Sequence, residues 1–246
     1  IKDYFRFEAM KKGTIYMLPT LLGGENAADV IPAEVIKQTI ELRCFIVENI
    51  KTARRYLRKL DREFPIDDST FFILNKKTDA SEFRKFIQPA IKGENIGIMS
   101  EAGCPGVADP GAGVVTVAHA NGIHVKPLVG PSSILMALMG SGFSGQEFAF
   151  HGYLPKDRKD RIRRLRDFEA DTRRTGMTHL FMDTPFRNMN VLEDLLNELN
   201  DATMLSIASN ITMGDENIQT MSVVDWREKA YDLSKKPTIF SIGKIQ

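Results

Sequence analysis

Three short stretches of the chain combine glycine with polar side chains that could bind a small polar ligand. They are PTLLGG at 19–24, SEAGCPGVADPG at 100–111 and VGPSS at 129–133. Each comes after an apolar run of strand length, and ligands of open α/β sheets bind beyond the carboxyl ends of the strands. Glycine lets backbone groups approach a ligand, and the hydroxyls of Ser132 and Ser133 stand at a predicted helix start. The three loops are expected to line one small-molecule pocket.

These loops do not carry the known glycine patterns of nucleotide sites. Neither GxGxxG nor GxxxxGK[ST] occurs in them, so neither a dinucleotide fold nor a P-loop is indicated. A tight turn is the alternative explanation for any one glycine loop. The chemistry must therefore be sought in the side chains beside them.

Three carboxylates at predicted strand ends could act as a base toward an acceptor hydroxyl. They are Glu101, Asp109 and Asp183. Asp109 precedes a proline at a predicted helix start, so a helix N-cap is its alternative role. No metal site is expected, because neither histidine nor cysteine accompanies these acids.

The two cysteines and one histidine have simpler interpretations. Cys44 and Cys104 are far apart and form no CxxC motif, which argues against a disulfide framework or a structural zinc site and favours a reducing cytoplasm. Cys104 has no basic neighbour, so we expect a small side chain beside a ligand and not a reactive thiol. His151 is expected to pack at a strand end.

The bulk composition describes a globular chain without a dominant charge. Of 246 residues, 43% are hydrophobic and 26% are charged, and the net charge is +1. A nucleic-acid partner would therefore have to be held by a local basic patch. No stretch approaches the roughly 18 apolar residues of a membrane span, so no membrane partner is expected.

The first residues could be mistaken for a secretory signal. Two lysines precede the apolar run that begins at Thr14, but Pro19 and the glycine pair after it interrupt the run. We expect a first core strand that ends in a glycine loop. Because the chain does not begin with methionine, the residues before Met10 are candidates for leader sequence.

Strand-length apolar runs alternate with helical patterns along most of the chain. The first set of strands is predicted at 14–19, 44–48, 70–74, 95–100 and 123–129, with helices near 30–41, 51–62 and 79–91, after Asp109 and from Pro131. The second set is predicted at 148–154, 177–183, 203–209, 218–224 and 238–243, with helices near 158–170 and 187–199. The last strands succeed one another without room for helices.

This alternation predicts an α/β fold with two α/β domains. The N-terminal domain, 10–129, contains the glycine-rich loop and a mainly parallel sheet. The C-terminal domain, 130–246, contains a mixed sheet. The two are joined near Val129–Pro131.

The segments SEAGCPGVADPG, PLVGPSSILMALMGSGF and FHGYLP, in this order and spacing, closely resemble the tetrapyrrole methylase family, also called class III S-adenosylmethionine methyltransferases. The resemblance runs from about Thr14 to Lys244 and is most specific between Ser100 and Pro155. Within the family, the chain is most similar to the branch that methylates a ribose 2'-hydroxyl of ribosomal RNA.

This resemblance implies a homodimer of two-domain chains that bind S-adenosylmethionine in a cleft between the α/β domains. Such a site mainly aligns the acceptor atom with the methyl group for in-line displacement. The cofactor contacts that it implies are Leu22, Gly23, Ala102, Gly103, Cys104, Val107, Ser132, Ser133, Met182, Asn210, Ile211, Pro237 and Thr238. Those from Met182 onward match positions that contact the nucleoside.

Two basic segments could contact RNA phosphates. Residues 156–174 hold nine basic and five acidic side chains, and residues 51–62 hold six basic and one acidic. The first is the preferred RNA contact, and a solvated helix surface is the alternative for both. Its apolar positions predict a buried face that leaves four arginines to project around the rest: Arg161, Arg163, Arg164 and Arg166.

Other segments depart from the ribosomal branch and bear on the acceptor. After its third strand the chain reads LNKKTDASE, where the branch has a His-Asn stretch. Where the branch has ESTHR and RELTK, this chain reads DTPFRNMN and SNITM and keeps only Arg187 and Thr212. Glu101 stands where the branch usually has aspartate. Arg187 joins the RNA-binding candidates. The leading hypothesis is a methyltransferase that acts on ribosomal RNA or the small ribosomal subunit. The alternatives are a methyltransferase of a tetrapyrrole or other small acceptor, and a homologue that binds S-adenosylmethionine or RNA without catalysis.

Overall fold

A computed structural model describes residues 11–245 as two compact units. The first unit contains the described residues up to Leu21 together with Glu25–Pro131, and the second contains Leu22–Gly24 and the chain from Ser132 onward. The candidate leader residues before Met10 lie outside the described part. In residues 11–245, no helix is both long enough and apolar enough to cross a membrane.

The first unit is built on a five-stranded sheet in the order β3-β2-β4-β1-β5. All of its pairings are parallel, which confirms the prediction from the alternating pattern. The strands are β1 (Thr14–Leu18), β2 (Cys44–Val47), β3 (Thr70–Ile73), β4 (Ile96–Met99) and β5 (His124–Pro127). The helices are α1 (Ala33–Ile40), α2 (Ile50–Leu60), α3 (Phe83–Phe86), α4 (Gln88–Ile91) and α5 (Ala112–Ala120).

The helix predicted near 79–91 is divided into three short pieces. A 3-10 turn at Ala80–Glu82 precedes α3, and α4 begins anew with Pro89 in its first turn. Proline lacks a backbone N–H and is tolerated only where a helix begins, so one continuous helix cannot pass through this position.

Helices cover both faces of the first sheet, so its central strands are buried. Ile46 and Ile98 belong to an apolar cluster on one side of the sheet, whereas Phe45 and Leu57 belong to a cluster on the other side. Every residue of β2 and β4 is buried, as expected for central strands of a parallel sheet. The loops after β1, β2 and β4 therefore begin at the carboxyl ends of neighbouring strands of this sheet.

The second unit contains a five-stranded mixed sheet in the order β6-β7-β10-β8-β9. Among the described strand pairs of this sheet, β6 and β7 are parallel and the other three pairs are antiparallel, which confirms the predicted mixture. The strands are β6 (Phe148–Tyr153), β7 (Thr178–Met182), β8 (Met204–Ser209), β9 (Asn217–Ser222) and β10 (Thr238–Gly243). The helices are α6 (Ser133–Ser141), α7 (Arg158–Thr175), α8 (Asn188–Glu198) and α9 (Val223–Arg227).

The expectation that no helix lies between the last strands is wrong. Ser222 caps α9 by accepting a hydrogen bond from the Asp225 N–H, and Trp226 of this helix is almost completely buried. The indole N–H of Trp226 donates to the carbonyl of Leu205 at 2.8 Å. A single turn is enough to bury this large side chain, and so short a helix leaves little periodicity in the sequence.

Candidate functional site

The glycine-rich stretch 100–111 forms the loop after β4. Gly103 has a φ of 73°, and its carbonyl accepts a hydrogen bond from the Thr20 N–H at 2.9 Å, which joins the loop to the end of β1. Ala108 has a φ of 62°, a left-handed conformation that is unfavourable for a residue with a Cβ atom. Backbone strain of this kind persists where the surrounding structure holds it, and it is concentrated at binding sites.

Asp109 is not the N-cap of the helix after the loop. That position belongs to Gly111, whose φ of 142° suits glycine, and no side chain caps α5. The Ser100 side chain lowers the pKa of Asp109, while its hydroxyl donates to the Ala102 carbonyl at 3.3 Å. The helix-capping alternative for Asp109 is therefore wrong.

Glu48, Glu101 and Asp109 form a group of three carboxylates at the ends of β2 and β4. The hydroxyl of Thr52 donates to Glu101 Oε1 at 2.6 Å, and the backbone N–H of Glu101 donates to Glu48 Oε2 at 3.3 Å. The structure thus brings together two of the three predicted catalytic acids and adds one that was not predicted. In the described part of the chain, no group of three or more histidine, cysteine, aspartate or glutamate side chains is arranged to hold a metal ion.

The surroundings make two of these acids hold their protons more tightly than usual. Burial raises the pKa of Asp109, and the charge of Glu101 raises it further against the opposing effect of the Ser100 side chain. Burial also raises the pKa of Glu48, with the charge of Asp109 as the second cause. A carboxylate with a raised pKa is a stronger base, which suits it to accept a proton from a weak acid.

Sequence reasoning misses Glu48 because it places this residue at the end of a predicted strand. In the structure β2 ends at Val47, and Glu48 begins the loop beyond it. The signal that could have found it is the one applied to Glu101, a carboxylate that comes directly after a buried strand.

A small cavity of about 80 Å³ lies beside these acids in the first unit. Its walls include Glu48, Thr52, Glu101, Thr20 and Tyr56. A water molecule occupies roughly 30 Å³ in the liquid, so the cavity has room for a small polar group and not for a whole nucleoside. The arrangement can hold a hydroxyl next to a carboxylate.

Three further predicted cofactor contacts are Cys104 in the first unit and Ser132 and Ser133 in the second. The Cys104 thiol donates to the Pro131 carbonyl at 3.4 Å, and burial raises its pKa, so it remains a thiol and a poor nucleophile. A Cβ atom added at Gly130 would lie 2.2 Å from Pro19 Cβ, so only glycine permits this close approach. In the second unit, Ser132 is the N-cap of α6 and Ser133 is its first residue.

The second-unit residues predicted to contact the nucleoside lie at one edge of the second sheet. Thr238 pairs with Ser209 across the antiparallel sheet, and the Asn210 N–H donates to the Pro237 carbonyl at 3.0 Å. Met182 stands at the same edge, opposite the residue directly after Thr238. The structure thus brings these predicted positions together.

The loop after β8 carries both strain and an unsatisfied polar group. Asn210 and Thr212 have φ values of 51° and 69°, and the hydroxyl oxygen of Thr212 is buried without a hydrogen-bond partner among the described residues. Leu22 packs in one apolar cluster with Ile211, and Gly23 adjoins the side chain of Met213. A buried hydroxyl without a partner is unfavourable unless a ligand or water satisfies it.

The structure gives Asp183 and Arg187 a structural role. Both carboxylate oxygens of buried Asp183 accept hydrogen bonds from Arg187, and the Thr184 N–H donates to Oδ1 at 2.6 Å. Arg187 also donates to the Leu154 carbonyl at 3.1 Å. These contacts occupy the groups that the sequence assigned to catalysis and to RNA binding.

The expectation that Arg161 projects from its helix is wrong. Its side chain is buried, with only 6% of the residue exposed, and Nη2 lies 2.6 Å from Oδ2 of Asp194 on α8. The guanidinium of Arg158 contacts the other oxygen of Asp194 at 2.8 Å. A buried carboxylate needs such partners because an unpaired charge is strongly unfavourable away from water.

The other three predicted RNA contacts of α7 are exposed but already have partners. Arg163 pairs with Asp160 at 2.9 Å, and Arg166 pairs with Glu198 at 2.6 Å. The guanidinium of Arg164 lies 4.7 Å from the centre of the Phe168 ring. Two acids outside the segment 156–174, Asp194 and Glu198, thus offset half of its excess of four basic residues.

His151 packs against neighbouring rings as expected, but it lies inside β6, two residues before the strand ends at Tyr153, and not at the strand end. Its ring stacks on Phe168 with centroids 4.1 Å apart, and Nε2 lies 2.8 Å from Nδ1 of His179. Burial, followed by the neighbouring His179 and Arg164, lowers the pKa of His151 to about 4. At neutral pH this histidine is therefore uncharged.

Comparisons with known proteins identify related chains. Residues 27–225 match the family model described as Tetrapyrrole (Corrin/Porphyrin) Methylases. The chain is 29% identical over 214 residues to "Ribosomal RNA small subunit methyltransferase I" of Vibrio cholerae, covering 86% of this chain and 69% of that protein. The protein of the same name from Halalkalibacterium halodurans is 30% identical over 185 residues, covering 75% of this chain and 60% of that protein.

A solved structure shows the same fold. The crystal structure of the methyltransferase CobJ matches with a TM-score of 0.60 and 18% sequence identity, covering 95% of this chain and 94% of that one. This confirms the predicted α/β architecture.

Proposed function

The chain belongs to the tetrapyrrole methylase family and is a methyltransferase, and from this we propose that it transfers the methyl group of S-adenosylmethionine to a ribose 2'-hydroxyl of ribosomal RNA. The observation that carries the proposal is the group of carboxylates beside the glycine loop at the end of β4. Relatives named ribosomal RNA small subunit methyltransferase I support ribosomal RNA as the substrate.

The residues present fit S-adenosylmethionine in each unit considered by itself. In the first unit, the residue Ala108 is exposed and left-handed, a backbone conformation that can turn successive N–H groups toward an anionic or polar ligand. In the second, the unpartnered hydroxyl of Thr212 can bond to a nucleoside. The cofactor contacts that we propose are Ala102, Gly103, Cys104 and Val107 in the first unit, and Leu22, Gly23, Ser132, Ser133, Met182, Asn210, Ile211, Pro237 and Thr238 in the second. A cofactor cleft between the units stays a prediction.

When bound, S-adenosylmethionine supplies a methyl group on a positively charged sulfur. The chain holds the acceptor oxygen in line with that carbon, and such alignment accounts for much of the catalysis in displacements of this kind. Asp109 accepts the proton of the ribose hydroxyl, because burial raises its pKa above the ordinary value and it belongs to the glycine-rich loop. The charge of Glu101 helps to raise that pKa, and Thr52 holds Glu101 in place.

Transfer of a radiolabelled methyl group tests this proposal. Purified protein is incubated with labelled S-adenosylmethionine and either small ribosomal subunits or bare ribosomal RNA from a strain that lacks the enzyme. We expect label in the RNA. Label in a supplied tetrapyrrole, with none in either form of RNA, would contradict the proposed acceptor.

A homodimer and a cytoplasmic location are part of the same proposal. On α6, the side chains of Leu135 and Met139 lie one turn apart, with 50% and 82% of these residues exposed, and such an apolar face supports self-association. The free thiols of Cys44 and Cys104 support a reducing compartment. Sedimentation of the protein and of Met139→Glu tests the dimer, which the substitution should dissociate.

A further inference from the structure

The two basic segments differ in how many of their charges are already paired. Of the nine basic side chains in 156–174, five form ion pairs within the described residues. Of the six in 51–62, only Arg54 does so, with Asp67 at 3.1 Å. Cations that lack a carboxylate partner are the ones available to phosphate. Five such cations lie within the twelve residues of 51–62 and four within the nineteen of 156–174, so the free positive charge is denser in 51–62, which is the better candidate.

An open groove of about 740 Å³ runs along the first turns of α2. Lys51 and Arg55 line one wall, and both are exposed and make no ion pair within the described residues. They stand four positions apart and so share one face of the helix. Ile73, the last residue of β3, and Asn75, in the turn after it, also line the groove, and 47% of Ile73 is exposed.

The groove is positively charged along α2 and negatively charged where it meets the carboxylates. Glu48 contributes to its lining, and its carboxylate belongs to the group that contains Asp109. Lys76 comes directly after Asn75, and its positive charge lowers the pKa of both acids, which places this lysine close to the same end. A phosphate is attracted to the α2 wall and repelled by Glu48, whereas a neutral ribose hydroxyl is not repelled.

We propose that this groove binds the backbone of the RNA substrate, with phosphates against Lys51 and Arg55 and the acceptor ribose toward Glu48. The inference rests on the proposed function and assigns its RNA-binding surface to α2 and the turn after β3. The preferred segment of the sequence analysis, 156–174, then serves mainly to hold the second unit together.

Binding of a transcript of small-subunit ribosomal RNA tests the inference. The variant Lys51→Gln/Arg55→Gln removes two groove cations, and the control Lys59→Gln/Arg62→Gln removes two exposed cations of the same segment outside the groove. Glutamine has nearly the helix propensity of lysine and arginine, so both variants should fold. Each lost phosphate contact lowers the salt slope by ~0.7, so we expect about tenfold weaker binding of the groove variant at ~0.15 M salt.

The control should bind within twofold of the unmodified protein and keep its salt slope. Equal binding by the groove variant and the control, from a protein that methylates RNA, would overturn the inference and leave the proposed function intact. A larger loss from Lys159→Gln/Arg163→Gln on α7 would do the same. A protein that binds S-adenosylmethionine but transfers no methyl group to RNA would overturn the proposed function, and the inference with it.

Discussion

Replacement of the base candidate is the substitution with the largest expected effect on catalysis. Asp109→Asn keeps the size of the side chain, but it cannot accept the proton of a ribose hydroxyl. General-base catalysis contributes about 10²- to 10⁴-fold, so kcat should fall by that factor. This loss corresponds to roughly 2.7–5.4 kcal/mol of transition-state stabilisation.

The pH dependence of the rate separates a base from a structural residue. Because burial raises the pKa of Asp109, the rate should rise with pH through a value above the ordinary 3.8 and then level off. Glu101→Gln removes a charge that raises this pKa, so it should move the rise to lower pH. The Asp109→Asn variant should lose the rise altogether.

The assay is steady-state methyl transfer to ribosomal RNA, with S-adenosylmethionine binding measured by calorimetry as the check on folding. Asp68→Asn, which changes an exposed carboxyl of the same unit, is the matched control and should leave kcat unchanged. An Asp109→Asn variant that binds the cofactor normally and retains more than a tenth of the wild-type rate would refute the assignment of Asp109 as base.

Three further predictions concern stability. Arg161→Ala leaves buried Asp194 with one partner fewer and should lower the free energy of unfolding in urea by roughly 3 kcal/mol. The control Arg163→Ala, which breaks an exposed pair, should change it by less than about 1 kcal/mol. Equal effects of the two substitutions would contradict the burial of Arg161. Folding lowers the pKa of His151 from 6.5 to about 4. Between these two pH values the unfolded chain therefore takes up a proton at this histidine and the folded chain does not. Stability should therefore decline as pH falls from 6.5 toward 4, and His151→Gln should weaken that decline in thermal unfolding; an unchanged slope would count against the buried neutral ring. Ala108→Val should destabilise by about 1–2 kcal/mol while Ala108→Gly does not, because only glycine tolerates the left-handed backbone; equal stability of the two variants would argue against that conformation.

The sheets and the glycine loop could be predicted because their signals are local. Apolar runs of strand length mark β2 and β4, and a glycine-rich stretch directly after β4 can only be a loop. The same rule correctly indicates that Glu101 and Asp109 lie at a sheet edge. The residues of such a loop are neighbours of the strand in the sequence itself, so their placement requires no knowledge of distant contacts.

Partners that are distant in sequence could not be predicted. Arg161 is buried because Asp194, 33 residues later, faces it from another helix, and no periodicity within α7 reveals that pairing. The capping role predicted for Asp109 is wrong because the backbone of Gly111 starts the helix two residues later. The excess of basic residues in 156–174 is plain from the sequence, and the pairs of Arg163 and Arg174 are with acids of the same helix. The pairs with Asp194 and Glu198 depend on acids that only the fold places beside the helix.

The position of the methyl group on its product tests the central claim most directly. Ribosomal RNA from the transfer reaction is digested to nucleosides and analysed by mass spectrometry, which separates a methyl group on ribose from one on a base. We predict a single nucleoside carrying the label on its ribose, absent when Asp109→Asn replaces the wild-type protein. Label on a base, or no labelled nucleoside from a protein that binds S-adenosylmethionine, would contradict the account.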